Sequence, residues 1–272
     1  MNSENELCMK HEIYQVDAFT SRIFSGNPAT VVILDNWISE NTMCEIAIEN
    51  NQAETAFIVE IGKNEFEIRW FTPVTEVDLC GHATLAAAYI LYFEKNADSN
   101  TLKFHSQKSG ELVVKRDDDV ITLNFPSDVY EKVAITEELS CCFNIKPIEV
   151  YKGKTDYMMV YANYAEISAL IPDLPEIAKL KCRGVITTAK GIEVDFVSRF
   201  FAPQSGINED SVTGSAHVTL TPYWAQRLDK IDLTAKQLST RRGYLECTLL
   251  GNRVEISGRA RLYMKGNIFV DE

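Results

Sequence analysis

The chain repeats itself, and that property restricts the folds open to it more than any other. Arg69-Trp70-Phe71-Thr72-Pro73 returns as Arg199-Phe200-Phe201-Ala202-Pro203, and each copy leads to a glycine that opens a run of small residues. The first run is Gly81-His82-Ala83-Thr84-Leu85, the second Gly214-Ser215-Ala216-His217-Val218. Gly81 and Gly214 stand 133 residues apart, as do Gly110 and Gly243, and Ile121 and Val254. One such match arises easily by chance, but three at a fixed spacing do so much less often. Two similar halves facing one another would bring two helix N-termini beside one cleft, which is a physical reason to expect a ligand there.

At 272 residues the chain is long enough for two modest cores, and 46% hydrophobic with 24% charged residues fits an ordinary globular protein. A net charge of −12 repels phosphate backbones and anionic lipid, so nucleic acid and membrane surfaces are disfavoured as partners. Seven cysteines form no even framework and no CxxC pair, and Cys141 and Cys142 are adjacent, so reduced thiols are expected. The amino-terminal residues are polar and acidic, without the apolar stretch of a signal peptide. The longest apolar run, from Leu85 to Phe93, is too short to span a bilayer. A cytoplasmic protein is the reading that follows.

Strands are expected at 12–19 and 29–35, joined by a Gly26-Asn27-Pro28 turn, and a helix over about 40–51 with Ser39 as its N-cap. Strands at 54–60 and 65–71 lead to a helix over 81–93 that is apolar nearly all round, as one wrapped by sheet should be. A hairpin over 111–125 turns at Asp117-Asp118-Asp119. The second half carries strands near 147–161 and 193–201, a helix opening at Gly214, and a hairpin turning at Gly251-Asn252. Residues 163–180 read as helical and peripheral, interrupted by Pro172 and Pro175. The class is α+β: two pseudo-symmetric halves, residues 1–126 and 127–272, each a mainly antiparallel curled sheet around a central helix.

Small residues at both helix starts would let a ligand approach backbone N–H groups where the helix dipole is positive, which suits a carboxylate. Tight strand-to-helix turns would explain the same glycines. Glu54, in Asn51-Gln52-Ala53-Glu54-Thr55-Ala56-Phe57, lies between apolar neighbours that would desolvate it and fit it for proton transfer, or it is a surface turn residue. Asp210 precedes the second glycine as a further acid or a helix cap. His82 could act as an acid, a donor or a structural contact, and Cys80 as a base or an inert buried thiol. Thr213 stands where Cys80 has its counterpart. No HxxxH or HxH spacing, no GxGxxG and no GxxxxGK[ST] occurs, so neither a metal nor a nucleotide cofactor is indicated.

Asp17-Ala18-Phe19, Phe24-Ser25-Gly26-Asn27-Pro28-Ala29, Ala53 to Phe57, Asp78-Leu79-Cys80-Gly81-His82-Ala83-Thr84, Glu209 to Ala216, and Ser257-Gly258-Arg259-Ala260 occur in the order of one family. This set closely resembles the PhzF-like phenazine biosynthesis family. The resemblance implies the diaminopimelate-epimerase-like fold, with a final strand over about 262–272 that returns to the first half. It implies a metal- and cofactor-free isomerase of a small carboxylate-bearing molecule, with Glu54 as proton shuttle and His82 and Asp210 assisting. Gly81, Ala83, Gly214, Ser215 and Ala216 would hold the substrate, with Asn27, Cys80 and Thr213 as further candidates, in a homodimer. Related epimerases place a cysteine base before each repeat glycine. Here only Cys80 matches, which leaves a one-base, Cys80-dependent epimerase, racemase or dehydratase as an alternative. A non-catalytic metabolite- or protein-binding member is a third.

Overall fold

The computed structural model describes residues 8–271; residues 1–7, part of the segment on which the leader reading rests, lie outside the described residues. The chain forms two compact units, one of residues 8–23, 28–123 and 259–271, the other of residues 24–27 and 124–258.

In the first unit, strand Cys8–Ala18 pairs antiparallel with Ala260–Asp271. Strand Asn27–Leu34 runs parallel to Thr55–Gly62, which is antiparallel to Glu65–Phe71. Glu65–Phe71 is parallel to Thr101–Ser106, and Gly110–Asp117 and Val120–Pro126 follow as antiparallel neighbours. Thr55 through Val59 are buried without a break, the pattern of a strand covered on both faces. Phe57 and Val59 pack with Met43, Ile46 and Ala47 of helix Glu40–Asn50. The period-two alternation turns Ala56 and Ile58 to the other face, where the central helix Gly81–Tyr89 meets this strand.

The outer helix starts where expected: Ser39 accepts from the Thr42 N–H, and Asn51 ends the helix in the left-handed region at φ 47°. The central helix is buried from His82 to Ala88, then widens into a π turn, Ile90–Glu94, closed by the Lys95 N–H on the Ile90 carbonyl. That turn keeps Ile90, Leu91 and Tyr92 in the core.

The second unit repeats the succession. Tyr157–Val160 runs parallel to Val185–Lys190, which is antiparallel to Phe196–Ala202; that strand is parallel to Asp232–Gln237, followed by antiparallel Gly243–Leu250 and Arg253–Gly258. Two of these strands have weak sequence signals and go unread. Val185–Lys190 buries Thr187 and Thr188, one on each face, and Asp232–Gln237 turns only Leu233 and Ala235 inward as apolar residues.

Three further expectations need correction. Gly214 opens a 3₁₀ turn, Gly214–Ala216, and the α-helix proper is His217–Leu228. Pro175 does not interrupt a helix: it sits in the first turn of Leu174–Lys179, where its missing N–H costs nothing. Nor is the segment peripheral. Ile167 and Leu170, at the end of helix Tyr164–Ala169, share a core with Ile177, Leu180, Phe143, Tyr161 and Phe201. Pro222 lies inside the second central helix, and the Val218 carbonyl it deprives of a partner accepts instead from the Asp128 N–H at 3.1 Å.

The repeated Arg-x-Phe now has a reason. Arg69 grips Glu76 through Nε at 2.7 Å and Nη2 at 3.0 Å, and lies over the Phe71 ring. Arg199 grips Glu209 with the same two nitrogens at 2.7 and 3.0 Å, and lies over Phe201. Residues two apart on a strand share a face, so each motif carries its own ring under its own guanidinium.

Candidate active site

In the first unit, Glu54 ends the loop before strand Thr55–Gly62, and its carbonyl takes the Thr30 N–H at 3.1 Å. Cys80 is the N-cap residue of the central helix, Gly81 its first residue and His82 its second. The Thr84 hydroxyl and N–H both bond the Cys80 carbonyl, at 2.6 and 3.1 Å, which fixes the first turn. These elements bring three reactive side chains together. His82 Nε2 lies 3.2 Å from Glu54 Oε2, and His82 Nδ1 lies 3.5 Å from Cys80 Sγ. The Glu54 and His82 side chains are only 13% and 7% exposed, so a charge passed between them is poorly screened by water.

Glutamate, cysteine and histidine are also metal-ligand types, and their donor atoms lie within 4.8 Å of one another. The imidazole stands between the thiol and the carboxylate, with one ring nitrogen toward each. Ala83 is fully buried, which leaves only its backbone to meet a ligand. Gly81 is half-buried at the helix start.

In the second unit, Asp210 is held at both oxygens. Asn27 Nδ2 donates to Oδ1 at 2.8 Å, and the Thr213 hydroxyl donates to Oδ2 at 2.5 Å. Asn27 also donates to the Val212 carbonyl at 2.9 Å. Gln237, which carries no sequence motif, clamps the loop. Its Nε2 bonds the Asp210 carbonyl and the Thr213 hydroxyl, and its Oε1 accepts the Thr213 N–H. Gly214 and Ala216 are buried, while Ser215 is half-buried and its hydroxyl accepts from Arg183 Nη1 at 2.8 Å. His217 takes the part that Thr84 plays in the first unit. Its Nδ1 lies 2.8 Å from the Thr213 carbonyl, which can only accept, so Nδ1 carries the proton.

His217 is wholly buried, and burial pushes its pKa down from 6.5 to about 4. The unfolded chain therefore binds a proton that the folded one refuses, and stability falls as pH drops through this window. Burial would raise the Glu149 carboxyl, but hydrogen bonds from Arg227, Tyr151 and Lys132 outweigh it and hold the group at about 2, so its contribution is lost only below its ordinary 4.5. Between pH 6.5 and 4.5 the histidine governs. Urea unfolding at pH 7 and pH 5 is expected to differ by about 2 kcal/mol in the wild type. A His217→Gln variant is expected to show a much flatter slope, and an unchanged slope would refute the assignment.

Two units with one strand succession, each carrying a central helix, Gly81–Tyr89 in one and His217–Leu228 in the other, define the diaminopimelate-epimerase-like fold. A hydroxyproline epimerase from Agrobacterium vitis is similar in fold, at 10% identity and a TM-score of 0.60, with 97% of this chain and 93% of that one covered. The chain belongs to the phenazine biosynthesis-like family, whose model matches residues 16–266. It is 50% identical over 261 residues to an uncharacterized isomerase of Pseudomonas aeruginosa, covering 96% of this chain and 99% of that protein. It is also similar to a crystal structure of a PhzF family protein from Enterococcus faecalis, with 44% identity, a TM-score of 0.93, and 96% and 100% of the two chains covered.

Proposed function

We propose that this protein is an isomerase that moves a proton within a small carboxylate-bearing metabolite, with Glu54 as the proton carrier. The observation that carries this is the 3.2 Å approach of Glu54 Oε2 to His82 Nε2 at the start of a buried helix. A carboxylate and an imidazole so placed can take and return one proton without a cofactor, in a setting where each exchange is worth more than in water. The family's relatives named as isomerases support the reaction class. His82 would stabilise the developing charge. Asp210 would assist as an acid held in place by Asn27 and Thr213. Gly81 and Ala83 in the first unit, and Gly214, Ser215 and Ala216 in the second, are the residues proposed for substrate binding.

The Cys80 alternative has one observation in its favour, the 3.5 Å contact of its sulfur with His82. A two-base epimerase is disfavoured, because the Thr213 hydroxyl is spent on Asp210 and is no base near neutrality. A cytoplasmic location and a homodimer belong to this proposal; no helix among the described residues is long and apolar enough to cross a membrane. Incubation with a library of cyclic and unsaturated carboxylic acids in heavy water should give one compound with a mass gain of a single deuteron. Ligands that stabilise the protein without any exchange would instead mark a non-catalytic binder.

A further inference from the structure

Arg183 has no place in the motifs above, yet all three of its guanidinium nitrogens are engaged. Its Nε donates to Asp156 Oδ1 at 2.9 Å, and its Nη2 to the other oxygen of the same carboxylate. Asp156 is only 3% exposed. The guanidinium lies over the Phe200 ring, 5.3 Å from its centroid. Gly184 makes this possible: a Cβ there would stand 2.3 Å from the tip of the same ring. A surface arginine needs no such cradle.

A guanidinium has five N–H donors. Asp156 takes two and the Ser215 hydroxyl takes one, from Nη1. One N–H remains on each terminal nitrogen, and the side chain is 39% exposed. Ser215 is in turn an acceptor from Arg183, which leaves its own O–H as a donor. The Asp210 oxygens are occupied by Asn27 and Thr213, which leaves that acid poorly disposed to compete for the spare donors.

We propose that Arg183 is a specificity-determining residue: with the Ser215 hydroxyl it selects a carboxylate over a neutral carbonyl on the small molecule bound at the Gly214–Ala216 turn. This rests on the assignment of that turn to substrate binding. The recognition works through oriented donors more than through net charge, since Asp156, Asp210 and Asp128 all place negative charge about Arg183. A carboxamide offers one acceptor oxygen and brings an NH₂ against the remaining donors, so it is rejected.

The test uses the full chain, with acetate and acetamide as probes followed by the amide resonances of Gly214 and Ser215. Wild type should bind acetate at least about tenfold more tightly than acetamide, a ratio ordinary for a hydrogen bond to a charged group. Arg183→Met alone would strand the buried Asp156, so the decisive variant pairs it with Asp156→Asn and is checked for a retained melting transition. That folded double variant should bind both probes equally, and Arg183→Lys should keep a reduced preference for acetate. A folded double variant that still prefers acetate, or a wild type that responds to neither probe at these amides, would overturn the proposal. Glu54→Gln serves as the separating control. It should bind acetate like wild type whether or not Glu54 carries the proton, so a failed role for Glu54 leaves this result standing.

Discussion

Glu54→Gln is expected to lower turnover about 10²–10⁴-fold, the usual contribution of a positioned acid–base group, while substrate affinity changes little. Glutamine fills the same space and can still meet His82 Nε2, from which the native carboxylate oxygen stands 3.2 Å. What it cannot do is hold a proton that it must later return. A uniform-binding role for Glu54 would raise KM and leave kcat alone; a shuttle loses kcat. His82→Gln should also cost activity but less, because it removes the partner that stabilises charge and not the proton carrier itself. A Glu54→Gln enzyme with more than a tenth of wild-type kcat would exclude the shuttle.

Arg199→Met is expected to lower the free energy of unfolding by about 3 kcal/mol, read by urea or thermal denaturation. The side chain is 12% exposed and its partner Glu209 23%. Removing the cation leaves the carboxylate without its two charge-assisted bonds, and the Leu170 carbonyl loses the Nη1 donor 2.8 Å away. Replacing both members, as Arg199→Met with Glu209→Gln, should recover more than half of the loss, since the stranded charge is gone. The equivalent change in the first unit should cost less. When Arg69 is removed, Lys108 remains 3.4 Å from Glu76, so that carboxylate keeps a cation. Equal losses at the two positions would show that the arginines contribute through packing on Phe71 and Phe201 alone.

The duplication is legible in the sequence because its punctuation is. Glycines at the starts of helical turns and hairpin strands recur at a fixed interval, and one of them, Gly110 at φ 72°, holds the left-handed backbone that favours glycine. The Ser39 cap and the turn at Asp118, with φ 51°, are equally local signals. Glu54 and the Cys80–His82 pair are visible as separate motifs, but the approach of Glu54 to His82 comes from the start of a strand meeting the start of a helix, which no spacing rule encodes. The partners of Asp210 show the limit most clearly. Gln237 lies at the end of a strand whose only inward apolar residues are Leu233 and Ala235, so neither its strand nor its buried amide announces itself. Arg183 and Asp156 lie 27 residues apart, and it is the parallel pairing of Tyr157–Val160 with Val185–Lys190 that joins them. The segment 163–180 fails for another reason: prolines read as breaks where one of them starts a helix.

The proposed function assigns the proton to one carboxylate, Glu54, and not to the neighbouring thiol of Cys80. The most direct measurement follows solvent deuterium into a turned-over carboxylic acid by wild type, Glu54→Gln and Cys80→Ser under the same conditions. The expected result is incorporation by wild type and by Cys80→Ser, with none by Glu54→Gln. Incorporation that survives in Glu54→Gln and vanishes in Cys80→Ser would contradict the account and hand the chemistry to the sulfur.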